Sequence, residues 1–108
     1  MNRYLLIESR DPFESNDVAH FGMLACELAA AGNEVTMVLV QNGVLPARRG
    51  ARSDGLTTLS ASGVKVFADA FALRERGIAP DKLAAGVTAT DLEVVIDAMA
   101  SGAKALWH

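Results

Sequence analysis

The stretch GNEVTMVLVQNG, residues 32–43, decides the fold. At its centre Val35-Thr36-Met37-Val38-Leu39-Val40 runs almost without a polar break. A strand with one wet face alternates apolar and polar side chains. A run without alternation suits a strand covered on both faces, as in a parallel sheet. Glu34 to Gln41 therefore reads as a buried strand. Gly32 and Asn33 before it close the preceding element. Asn42-Gly43 after it is a turn signal, but no partner strand follows at once, so a hairpin is not expected.

The same reading extends in both directions. Upstream, Asn2 to Ser9 holds a second unbroken run, Tyr4-Leu5-Leu6-Ile7, and Arg10 to Asn16 is a polar loop with Pro12. Asp17 to Ala31 reads as a helix that Ser15 or Asn16 caps, with Val18, Phe21, Ala25 and Leu28 on the core face. Downstream, Val44 to Ser53 reads as a loop with Pro46 and about one helical turn. Ser53 or Asp54 opens a short helix through Ser62, and Val64 to Ala68 is a third strand. Asp69 to Arg76 forms a helix closed by Gly77, and Pro80 starts another short helix to about Ala85. Val87 to Ala89 is a short strand. Thr90-Asp91-Leu92-Glu93 has the form of a capping box. The helix it opens is expected to pack Leu92, Val95, Ile96 and Met99 inward and to stop at Gly102. Ala103 to Trp107 is the last strand. Alternating strands and helices imply an α/β domain with a mainly parallel, five-stranded sheet, right-handed crossovers and helices on both faces, flavodoxin-like in outline.

Bulk properties agree with one domain over residues 1–108. The chain is 51% hydrophobic and 21% charged, with a formal net charge of −3. An acidic balance of that size gives no general attraction to nucleic acid or anionic membrane, and neither is expected as a partner. The single cysteine, Cys26, excludes an intrachain disulfide and a cysteine-based cluster. His20 and His108 are far apart and lack ligand-like spacing, so no metal is expected. The run Tyr4–Ile7 is too short for a signal peptide, and no segment approaches the roughly 20 apolar residues that span a bilayer. The expected location is the cytoplasm. The chain has no G-x-G-x-x-G after the first strand, no P-loop and no G-x-S-x-G, so no cofactor is expected.

Four stretches together resemble the DsrE/DsrF/DsrH superfamily of sulfur-relay proteins, which includes TusB, TusC and TusD. They are FGMLACELAAAGNEV (21–35), VLVQNGVLPA (38–47), VKVFADAFALRERGI (64–78) and GAKALWH (102–108). Order and spacing carry the resemblance, over nearly the whole chain. The short length and Trp107 favour the DsrH/TusB branch. The resemblance implies a five-stranded flavodoxin-like domain that assembles into trimers or hexamers, or into hetero-oligomers with other relay subunits. It also implies a carrier cysteine that holds a persulfide just after the third strand, eight residues before the Gly of the Arg-Gly ending. That count, taken back from Gly77, gives Asp69. A carboxylate cannot hold a persulfide, so the carrier role does not transfer to this position.

Asp69 reads first as a helix N-cap, and alternatively as an acid or ligand contact at the C-terminal edge of the sheet, where open α/β sheets place their sites. Cys26 lies too far inside its helix for the N-terminal dipole to favour a thiolate. It reads as a packed or interface thiol, with a relocated sulfur carrier as the alternative. Arg48, Arg49 and Arg52 follow the second strand, either as a solvated loop or as a site for an anion or an acidic partner surface. Ser9, Arg10, Asp11 and Asn16 share the same expected edge, as turn and cap residues or as one wall of a pocket. His20 is expected on the outer helix face, without an orienting partner. Met23 and Ala30 share that side, which is suited to another subunit, and Trp107 reads as a core or interface aromatic.

Three functions are open on these residues. One is an accessory, non-catalytic member of a persulfide relay. Another is a sulfurtransferase with Cys26 as the carrier. The third is a small anionic-ligand-binding module at the sheet edge formed by Ser9, Arg10, Asp69 and the arginine loop.

Overall fold

A computed structural model describes residues 1–49 and 54–108. Five strands form one sheet: β1 (Arg3–Glu8), β2 (Glu34–Leu39), β3 (Lys65–Asp69), β4 (Val87–Thr90) and β5 (Lys104–Trp107). Their order is β4-β3-β2-β1-β5 and every neighbouring pair is parallel. Between them run α1 (Asp17–Ala30), α2 (Asp54–Ala61), α3 (Ala70–Glu75) and α4 (Glu93–Ala100). The first four strands are laid down in one direction across the sheet. The chain then returns through α4 to place β5 on the far side of β1. The connection reverses between β1 and β5, and open sheets of this kind offer a crevice at such a point.

Side chains alternate across the pleat, so the central strands β1, β2 and β3 feed two cores. Leu6, Met37, Leu39, Val66 and Ala68 face Ala25 of α1, Leu56 and Leu59 of α2, and Ala72 and Leu73 of α3. Leu5, Ile7, Val38 and Val40 face the other way, against Val94, Val95 and Ala98 of α4. Both sets are sealed from water, which is why β1 and β2 read as continuous apolar runs. Each fully buried leucine contributes about 1.5–3 kcal/mol of transfer free energy. Gly32 (φ +89°) and Gly77 (φ +67°) stop α1 and α3 with left-handed backbone that other residues adopt at a cost.

Several elements differ from the sequence expectation. Residues 41–47 form a 3-10 segment where a loop with one turn was expected, entered through Gln41 with φ +49°. Gly43 in this segment lies so close to the Glu8 backbone carbonyl that a Cβ would collide with it, which locks the segment to the end of β1. The helix expected after Pro80 is only a 3-10 turn, Pro80–Lys82, and Leu83 then bridges Arg48. The capping box does not form. Thr90 is the last residue of β4, paired with Asp69, and α4 begins only at Glu93. The Asp91 carboxylate accepts the Glu93 N–H at 2.9 Å instead, a local turn bond that replaces the box. Asn16 makes no side-chain cap either; Ser15 Oγ accepts from the Asp17 N–H at 3.2 Å. The cap expected from Ser53 lies outside the described residues.

The inward face of α4 is also corrected. Val95 packs against the sheet, but with Val94 and Ala98, while Leu92, Ile96 and Met99 are exposed, Ile96 to 63%. The sequence of α4 is apolar around much of its circumference. The sheet takes one side, and the stripe with the cleaner helical spacing is left outside.

Candidate functional site

The C-terminal ends of the strands carry most of the polar chemistry. At the β1/β5 crevice, parallel pairing aligns Ile7 with Trp107, so the residues that follow each strand meet. The Glu8 side chain is only 3% exposed. Its two oxygens lie 3.0 and 2.9 Å from His108 Nδ1, and one also accepts the Arg10 N–H at 3.2 Å. A buried carboxylate needs such partners, because desolvating it alone costs several kcal/mol. An ionised carboxylate only accepts, so it identifies Nδ1 as the donor. Phe21 of α1 packs on the imidazole, with ring centroids 5.3 Å apart. Ser9 Oγ donates to the His108 carbonyl at 2.8 Å and accepts from Trp107 Nε1 at 3.3 Å. Ser9 thus pins β5 to β1, and its hydroxyl is engaged on both sides.

A second polar chain crosses to the end of α3. Glu14 Oε1 accepts from Asn42 Nδ2 at 3.0 Å, and Asn42 Oδ1 accepts from Arg76 Nη2 at 2.9 Å and Nε at 3.2 Å. Arg76 also donates to the Ala72 carbonyl. This chain ties the loop before α1, the 3-10 segment and the end of α3 into one rim. Asp69 is buried beside it, and its Oδ2 accepts the Ala72 N–H at 3.2 Å. The N-cap reading of Asp69 is what the structure contains.

The other sequence candidates are not gathered around Asp69. Among the described residues, no hydrogen bond or ion pair joins Asp69 to Ser9, Arg10, Arg48 or Arg49. The Arg48 side chain donates to the Leu45 carbonyl, and the Arg49 N–H donates to Lys82. Both arginines are exposed and brace the 3-10 segment against the turn after Pro80. Arg52 lies outside the described residues. Asp11 is buried and its Oδ1 accepts the Phe13 N–H, a turn role. His20 is exposed, with Asp17 as its nearest charge at 3.8 Å. Among the described residues no three His, Cys, Asp or Glu side chains form a group suited to a metal.

Cys26 is half-buried and lines a cleft of about 620 Å³ between α1 and α2. Met37 and Leu39 of β2 form its floor with Glu8, and Arg10 stands on its rim. The cleft joins two features that sequence reasoning kept apart, the helix thiol and the end of β1. The Glu8–His108 pair was missed because its members lie 100 residues apart. One signal was available. A carboxylate closing a doubly buried strand needs a cation or donor, and the chain has only two histidines.

Residues 3–107 match the model of the DsrE/DsrF-like family. The chain belongs to that family. Two solved structures share its fold over 100% of both chains. YchN of E. coli superposes with a TM-score of 0.89 and MTH1491 of Methanobacterium thermoautotrophicum, a protein of unknown function, with 0.85, each at 21% identity. At that identity the likeness is one of fold. No curated protein matches the chain. The family match spans β1 to β5, and within it the corner where the resemblance places a carrier cysteine is occupied by the capping carboxylate of Asp69.

Proposed function

We propose that the protein is an accessory member of a sulfur-transfer relay, one that docks carrier partners without holding sulfur at the β3–α3 corner. The observation that carries this reading is Asp69, a buried helix cap in a DsrE/DsrF-like chain. Within the family, Trp107 is the residue that favours the DsrH/TusB side. The exposed stripe Leu92, Ile96 and Met99 and the exposed Trp107 support assembly with copies of itself or with other relay subunits. The same reading puts the protein in the cytoplasm, where thiols stay reduced. Incubation with a persulfide donor followed by mass spectrometry of the intact chain tests it. The expected spectrum shows no stable gain of one sulfur atom. Light scattering of the purified chain tests assembly, and a strictly monomeric protein that joins no relay partner defeats the docking role.

A second reading makes Cys26 the carrier. Its support is the position of the thiol on the wall of the α1–α2 cleft. A one-sulfur adduct that disappears in Cys26→Ser establishes this reading and ends the accessory one.

A further inference from the structure

We propose that the α1–α2 cleft binds a small amphipathic carboxylate, its acyl or aryl body between the helices and its carboxylate on Arg10. The volume, about 620 Å³, falls in the range of small-molecule sites. The walls that matter are Met23, Met37, Leu39 and Leu59, an apolar surface suited to a hydrocarbon body.

Two glycines argue that the space is kept open. Gly22 lies in the middle of α1 and Gly55 in the first turn of α2, and both line the cleft. Glycine is the poorest helix former after proline, so a helical glycine needs a reason. Close packing is the usual one, and here it is absent. A Cβ built on either residue meets nothing within 4 Å. Neither glycine has a left-handed backbone. What both positions share is the cleft that larger side chains would fill.

The charges assign the head group. The Arg10 N–H donates to Glu8, but its guanidinium has no hydrogen bond or ion pair among the described residues. Glu8, on the floor, already has both carboxylate oxygens engaged, by His108 Nδ1 and the Arg10 N–H. Glu27 lies in the last turn of α1, toward the opposite end of the cleft from Arg10, which precedes the helix. An anion at the Arg10 end also meets the start of α1, where the helix dipole favours negative charge. A guanidinium binds a carboxylate through paired N–H donors, which suits this end to an acid head.

The inference does not depend on the sulfur reading, and its test does not use persulfide chemistry. Decanoate, decanol and decylamine are titrated against the full chain by calorimetry, and the rate of Cys26 alkylation is followed in parallel. The expected result is saturable decanoate binding that slows Cys26 alkylation in proportion to occupancy. Arg10→Gln weakens decanoate about tenfold or more and leaves decanol unchanged. Gly22→Leu or Gly55→Leu fills the cleft and abolishes binding while the melting temperature is kept. Absence of saturable decanoate binding overturns the proposal, as does binding that survives either filled-cleft variant. Decylamine binding as tightly as decanoate overturns the head-group assignment. Should both leucine variants misfold, protection of Cys26 in the unaltered chain decides, and unprotected alkylation at saturating decanoate overturns the proposal.

Discussion

The two faces of the sheet are built from the same strands and finished differently. On one face α1, α2 and α3 cover Leu6, Met37, Leu39 and Val66, yet α1 and α2 stand far enough apart to leave a cleft. On the other, α4 alone covers Leu5, Ile7, Val38 and Val40, and it leaves Leu92, Ile96 and Met99 in water. One face has its opening inside the layer and the other has its surplus apolar surface outside. Internal space suits a small ligand. External apolar surface suits a protein neighbour. The comparison separates two properties that a hydrophobic count merges.

The largest effect expected on this comparison comes from Leu39→Ala. The side chain is buried and borders the cleft, so truncation should cost about 2–5 kcal/mol in urea unfolding. A loss at the low end would mean that the helices relax into the cleft, and a negligible loss would break the picture of a rigid face. Asp69→Ala should cost about 1 kcal/mol, with Asp69→Ser recovering most of it, if the carboxylate acts as a cap. Equal losses in both variants would point to a role for the charge itself. Gly22→Ala should change stability in the other direction, raising it by about 0.5–1 kcal/mol, because the new Cβ meets nothing and alanine favours the helix. Destabilisation there would show that α1 approaches α2 more closely than the cleft allows. Ile96→Ser should be the mildest, within about 0.5 kcal/mol for an isolated chain, since the side chain is already in water. If it shifts the sedimentation coefficient with little effect on unfolding, the outer face of α4 is an interface.

Much of this molecule was legible in order along the chain. The run Val35–Val40 announced a strand covered on both faces, and β2 is buried between the two cores. Asp69 announced a cap, because its partner is the N–H three residues on. Gly32 and Gly77 announced the ends of α1 and α3. The failures came where two local signals competed or where a partner had to be chosen. Thr90 and Glu93 had the spacing of a box, but β4 pairing held Thr90 and Asp91 took the first N–H of the helix. Leu92, Val95, Ile96 and Met99 had the spacing of a buried stripe, but an amphipathic pattern states that a face will be covered and not by what. The arginine loop looked like a site because its residues are adjacent in sequence, and Arg48 instead braces the 3-10 segment.

By itself, then, the sequence determined the elements, their order and the parallel character of the sheet, because each depends on residues within a few positions of one another. It also placed a carboxylate at the corner where the resemblance asks for a thiol. The tertiary structure decided which strand became the second neighbour of β1, and with it the meeting of Glu8 and His108 across 100 residues. It decided how far α1 stands from α2, and so whether Cys26 faces packed neighbours or a cleft. Such contacts depend on the closure of long loops and on the choice of packing partner. Neither is written into the spacing of residues along the chain.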